Sequence, residues 1–179
     1  MTLIRMDIKS IVVGGGPVAS LVVLCPHGRD SEKNPVKLPI RIGTVEASAI
    51  SMGVERQPGG RPMTHDLLLD AIEKLGANVD SVRITSVSGT AFYAQLILMD
   101  ATGEQRYLDA RPSDAIAIAV RCGCDIYANQ EVLDTATLPD FGGIEEDEKR
   151  AEMEEFHNFV ENLSPDDFNV SDHKDGTEE

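Results

Sequence analysis

Two carboxylates, a guanidinium and a hydroxyl fall within six positions, at Asp109, Arg111, Ser113 and Asp114, with Pro112 among them and the small-residue run Ala115-Ile116-Ala117-Ile118-Ala119 behind. Carboxylates spaced this way can hold a hard divalent cation, and a guanidinium offers a planar fork of donors to a phosphate. Tyr107 to Ala110 reads as the end of a strand, Pro112 cannot continue a ladder, and Ser113 is placed to cap a helix running to Gly123. The group therefore sits on a strand-to-helix corner, where unpaired backbone N–H groups favour anions. A purely structural reading accounts for the local pattern more readily: Asp and Ser as capping residues, and Arg111 as an ion pair between two aspartates.

Two further stretches carry similar chemistry. Thr44 is placed to cap a helix with Glu46 in its first turn, where a carboxylate complements the helix dipole or, alternatively, faces the Asp109/Asp114 corner. Met63-Thr64-His65-Asp66-Leu67-Leu68 opens another helix, with Thr64 as the expected cap and Gly76 as its end. A histidine beside an aspartate at a helix start is either a surface residue or part of a general-base or metal site.

These residues need a scaffold, and 179 residues suffice for one domain with a proper core plus an appendage. Leu3 to Val13 and Val18 to Leu24 alternate around Gly14-Gly15-Gly16-Pro17, a hairpin signal. That glycine run lacks the G-x-x-x-x-G-K spacing of a phosphate loop and leads into a strand, so it reads as a turn. Pro26 to Val36 is a polar loop, Lys37 to Gly43 a third strand, and Gln57 to Pro62 a linker. Val79 to Val87, Ala91 to Met99 and Gln105 to Ala110 form a meander. Its middle strand is apolar on both faces, which predicts a central strand or a sheet packed on a partner subunit. A short strand at Asp125 to Ala128 and a helical turn or two at Gln130 to Ala136 complete the body, and no internal repeat is present.

The formal charge of −15 argues against a generic nucleic-acid binder until its distribution is considered. Residues 140–179 hold 15 acidic and 3 basic side chains, a net of −12, leaving −3 for residues 1–139. Ile144 to Leu163 is expected to form a helix, acidic on one side with Met153, Phe156, Val160 and Leu163 on the other, and 169–179 to be disordered. No apolar run approaches the ~20 residues of a membrane span and no signal-peptide pattern opens the chain, so a cytoplasmic, membrane-free protein is expected. Three cysteines, Cys25, Cys122 and Cys124, agree with reduced thiols. Cys122-Gly123-Cys124 is one residue short of a C-x-x-C motif and lacks the further ligands of a zinc site.

Three ordered motifs carry a resemblance to a known family: Leu38-Pro39-Ile40-Arg41-Ile42-Gly43 with Glu46-Ala47, then Arg61-Pro62-Met63-Thr64-His65-Asp66-Leu67, then Asp109-Ala110-Arg111-Pro112-Ser113-Asp114-Ala115-Ile116-Ala117. The sequence resembles the bifunctional nuclease domain of bacteria and plants over roughly Met6 to Leu138. Phe156 to Phe168 is similar to an extension of many bacterial members. The resemblance implies an α+β domain, which with the elements above means a mixed, largely antiparallel sheet with helices packed on it, followed by a C-terminal amphipathic helix. The expected organisation is a domain at 1–139, an acidic helical extension at 140–168 and a disordered tail at 169–179. The resemblance further implies a homodimer and cleavage of DNA and RNA without strong sequence choice.

On that reading Asp109, Asp114, His65 and Arg111 are the catalytic candidates. Arg111, Ser113 and Arg61 are the substrate-binding ones, and Asp109, Asp114 and Glu46 would hold Mg²⁺ or Mn²⁺. The reading requires Glu46, His65 and Asp114 to converge on one cleft. The competing expectation is a dimeric regulatory or anion-binding module. It is favoured by the acidity and by the scarcity of aromatics for stacking bases, 5 Phe and 3 Tyr with no Trp. A third is that the acidic extension mimics nucleic acid and occludes the body's site.

Overall fold

The computed structural model describes residues 2–14, 19–28, 36–55 and 60–136. The centre of the Gly14 to Pro17 turn, most of the Pro26 to Val36 loop, part of the Gln57 to Pro62 linker and the whole acidic extension lie outside them. The described elements run β1 (Leu3–Val12), β2 (Ser20–Pro26), β3 (Leu38–Ile42), α1 (Thr44–Val54), α2 (Thr64–Lys74), β4 (Ala77–Ser88), β5 (Ala91–Asp100), β6 (Gln105–Ala110), α3 (Pro112–Cys122), β7 (Asp125–Asn129) and α4 (Gln130–Ala136). The fold is α+β, as the sequence predicts.

The seven strands form one mixed sheet in the order β3-β2-β1-β7-β4-β5-β6. Two antiparallel meanders, β1-β2-β3 and β4-β5-β6, are joined through β7, which pairs antiparallel with β1 and parallel with β4. The five-residue β7 is thus the seam of the whole sheet, and the parallel pairing with β4 is possible because α3 supplies the long crossover that such a pair needs. β5 is an interior strand next to the β6 edge, paired on both sides, with Leu96 and Ile97 on its opposite faces both buried.

Helix α3 is the centre of the packing. Pro112, Ser113, Ala115, Ile116, Ala117, Ile118, Ala119 and Arg121 are all buried. Ile116 and Ile118 join Val82, Ile84, Leu96, Leu24 and Ile40 in one core; burying each such side chain contributes about 1.5–3 kcal/mol. The alanines serve a different end. With Ala47, Ala49 and Gly53 buried on α1 and alanines on α3, the two helices have little side-chain bulk between them. A Cβ on Gly53 would stand 2.7 Å from Arg121 Nη1, so the residue at 53 must be as small as it is.

The helix starts differ from expectation by one or two residues. Gly43, Met63 and Arg111 occupy the N-cap positions in extended conformation, and their carbonyls accept from Ala47, Leu67 and Ala115 N–H. Thr44 and Thr64 are therefore first helical residues rather than caps. Thr44 instead uses its hydroxyl across the fold, 3.4 Å from Ser20 Oγ and 3.5 Å from the Gly14 carbonyl. Ser113 does not cap α3 either: Pro112 takes the first position, where its missing N–H costs nothing, and Ser113 follows, buried.

Candidate active site

Those shifted starts put an acidic residue at the third position of each of the three long helices: Glu46 in α1, Asp66 in α2 and Asp114 in α3. Each helix thereby satisfies the positive end of its own dipole with a carboxylate. The three first turns meet in space through Arg111 and His65.

Arg111, the cap residue of α3, donates from Nε to Asp114 Oδ2 at 2.7 Å and from Nη2 to Asp114 Oδ1 at 3.2 Å, a two-pronged grip on one carboxylate. Its Nη1 reaches Glu46 Oε1 at 3.1 Å. His65 Nε2 lies 3.3 Å from Asp114 Oδ1 on the far side. Glu46, Arg111, Asp114 and His65 are therefore one connected chain across α1, α3 and α2. Gly43 makes room for it, since a Cβ there would collide with the Glu46 carboxylate.

The electrostatics follow from these contacts. Burial pushes the Asp114 carboxyl up, but the hydrogen bonds from Arg111 and His65 and the charges behind them outweigh it, leaving the group below its ordinary value. The same Asp114 contact, with Glu46 behind it, raises Arg111. The Arg111 side chain nonetheless remains 66 % exposed. Exposed ion pairs contribute about 0–1 kcal/mol each, so this network does little for stability. Three of the five N–H groups of the guanidinium are engaged by carboxylates, which leaves two for a ligand.

Beside Arg111 opens a groove of about 390 Å³ lined by Ile40, Arg41, Glu46, Phe92, Arg111 and Ser113, among others. It draws on β3 and on β5, which stand at or near opposite ends of the sheet. The sheet must curl for both to reach one groove. Arg41 adds a second cation to the lining, and the sequence reading quoted it only as part of a motif.

The other expected residues lie elsewhere. Asp109 is exposed on β6 opposite Gln95, and side chains alternate along a strand. It therefore faces away from the side on which Leu96 and Ala94 meet α3. It makes no contact with Glu46 or Asp114, and among the described residues no group of three or more His, Cys, Asp or Glu side chains is placed to hold a metal ion. Glu46 and Asp114 would be the ligands of Mg²⁺ or Mn²⁺, but as arranged both are held by Arg111 and do not form a cage. Arg61 is exposed ahead of α2 and outside the network.

Sequence reasoning missed Arg121. Only 5 % of its side chain is exposed. It donates to Asp66 Oδ1 at 2.8 Å, to the Ala49 carbonyl at 3.0 Å and to the Ala117 carbonyl at 2.7 Å, tying α2 and α1 to α3. Asp66 also accepts from Met63 N–H at 2.9 Å; that bond, then Arg121, holds its carboxyl low despite some burial. A single Arg in the otherwise Ala/Ile run of α3 was the available signal.

A family model for the bifunctional nuclease domain matches residues 29–140, more than half of the chain and the whole of this network. The chain belongs to that family. Its resemblance to an uncharacterized protein of Mycobacterium tuberculosis, Rv1829, is 40 % identity over 142 residues, covering 75 % of this chain and 82 % of that protein. Bifunctional nuclease 1 of Arabidopsis thaliana is 33 % identical over 95 residues, 52 % of this chain but 29 % of the plant protein. Bifunctional nuclease 1 of Oryza sativa subsp. japonica is 36 % identical over 74 residues, 40 % and 22 % of the two chains. The chain thus spans less than a third of the length of these two plant proteins.

Proposed function

We propose that this bifunctional nuclease domain hydrolyses phosphodiester bonds of DNA and RNA with little sequence preference, in the groove beside Arg111. The observation that carries the reading is a largely exposed guanidinium, held in place by carboxylates from two helix starts and backed by a histidine on a third. Phosphodiester hydrolysis needs a bound phosphate, a base for water and positive charge for the transition state.

Arg111 has two donors left for the phosphate, and Arg41 lines the same groove. Asp114 accepts the Nε2 proton of His65, which fixes the tautomer and leaves Nδ1 to take a proton from water. Which nitrogen carries the proton is assigned from this contact. Ser113 and Phe92 give the groove a polar and an aromatic side for one nucleotide unit, and its volume lies in the small-ligand range. The cleavage assay below, run with Mg²⁺, Mn²⁺ or EDTA, decides whether a divalent cation is required. A homodimer belongs to the same reading: β6 is an edge strand with Tyr107 and Leu108 exposed, a surface that a second copy can cover.

A second reading has a specific observation behind it. Three donors of Arg111 are already spent on carboxylates, as they would be in a device that only locks three helices of a regulatory or anion-binding module. Both readings meet in one experiment: cleavage of plasmid DNA and a folded RNA by purified protein with Mg²⁺, Mn²⁺ or EDTA, beside Asp114→Asn and Arg111→Ala prepared identically. Cleavage that disappears in both variants establishes the nuclease; cleavage equal in all three is a contaminant, and none in any favours the module.

A further inference from the structure

At the opposite end of α3 from the arginine network, Cys122 and Cys124 flank Gly123 in a second cluster of reactive side chains. Gly123 ends the helix in the left-handed conformation, φ 72°, with its N–H donating to the Ala119 carbonyl at 2.8 Å. That turn brings the two thiols together, Sγ to Sγ at 2.9 Å, while Cys122 also lies 3.6 Å from the Ala119 carbonyl. Apart from its two chain neighbours, nothing stands within 4 Å of where a Gly123 Cβ would be, so the turn is open to solution. Cys122 is exposed and Cys124 half-buried, whereas Cys25 is 2 % exposed in β2.

We propose that Cys122 and Cys124 are an oxidisable dithiol that closes to an intramolecular disulfide by exchange with low-molecular-weight disulfides. Cys122, the more exposed, loses its proton and attacks one sulfur of the small disulfide, releasing one small thiol and leaving a mixed disulfide. Cys124 then loses its proton and attacks Cys122 Sγ, releasing the second small thiol. The pair is oxidised by two electrons and the small disulfide is reduced by two, with both protons passing to the thiols released.

Two features define the character of the pair. The thiol contact and then burial push Cys124 far above its ordinary value, with the neighbouring Asp125 adding to it. The Cys124 thiol therefore persists at neutral pH, and ring closure is the slower of the two steps. A bridge across a single intervening residue closes a small ring, and strained disulfides are the readily reduced kind. The pair is thus expected to respond to an oxidative challenge and to reopen when it passes.

The test incubates the reduced full-length chain with oxidised glutathione and follows thiol titre and intact mass. The expected result is loss of two of the three thiols with two hydrogens lost from the mass, a peptide map joining Cys122 to Cys124, and reversal by dithiothreitol. In Cys124→Ser the glutathione adduct on Cys122 should persist, and in Cys122→Ser the reaction should slow. A stable adduct as the main product of the unmodified chain, a cross-linked dimer, or an unchanged thiol titre would each overturn the proposal. The wild-type mass decides the matter even where a variant folds poorly.

Discussion

Arg111 occupies an unusual position for a charged residue, since it is tethered at three points yet remains largely in water. Such tethering places a donor fork without desolvating it. Replacing Arg111 with Lys keeps the charge but loses the fork. Cleavage by Arg111→Lys should fall about 100-fold, the scale of losing one positioned donor to a transition state. The unfolding free energy of the same variant should change by less than about 1 kcal/mol. Steady-state cleavage rates and urea titration of the same sample measure the two.

Asp114 gives the pH prediction at the same scale. Its carboxyl is held below the ordinary 3.8 in the folded chain. The folded state therefore binds that proton less readily than the unfolded one. The stability it contributes is complete above the ordinary value and is lost as pH falls through the folded one. Denaturant midpoints should fall more steeply with acid in the wild type than in Asp114→Asn, with the two curves converging at the acid end. Parallel curves would show that the Arg111 contact is not made in solution. The sequence exposed these residues because each sits in a short motif with its own helix start. It could not expose their pairing, since Glu46 and Arg111 are 65 positions apart, and it misjudged Asp109, whose place in the motif hides that strand alternation turns it to the other face.

At the scale of elements, the design is three helix starts with an acid at the third position, cross-braced by Arg111 at the surface and Arg121 inside. The brace needs α1 and α3 to lie close, and Gly53 permits it. Gly53→Ala should therefore cost about 1–3 kcal/mol through overpacking against Val120 and Arg121. Gly123→Ala meets no neighbour but must adopt positive φ, at about 1 kcal/mol. Gly53→Ala should also weaken cleavage by disturbing Asp66 and His65, whereas Gly123→Ala should leave it intact; parallel thermal and activity assays separate the two.

Strand and helix order was legible because alternation and helical periodicity are local properties. The caps were less so: Thr44, Thr64 and Ser113 are good capping residues, but the helices begin before them, where Gly43, Met63 and Arg111 answer to tertiary contacts. Equally hidden was the role of β7. Nothing in Asp-Ile-Tyr-Ala-Asn announces the strand on which both meanders close.

For the molecule as a whole, the described core runs from Met6 to Leu133, and the net −12 of residues 140–179 lies beyond it. A chain ending at Pro139 retains every residue of that core, and its midpoint of thermal unfolding should stay within about 3 °C, the shift that about 1 kcal/mol produces at this size. The truncated chain should also bind single-stranded nucleic acid more tightly at low salt, with the gain shrinking as salt screens the charge. Fluorescence anisotropy at several salt concentrations reads this. Equal binding at every concentration would remove any competitive role for the acidic extension.

The groove between the two ends of the curled sheet bears on how such a protein is made. Its walls come from residues 40–43, from Glu46 and from residues 90–92 and 111–113, with Asp114 and His65 linked to them through Arg111. A polypeptide still emerging from the ribosome possesses Glu46 and His65 long before Arg111 and Asp114 join them. Even a chain released early from synthesis, or one whose sheet has not yet curled, has no cutting surface. On the proposed nuclease reading, cleavage of nucleic acid would therefore begin only once nearly the whole domain has folded.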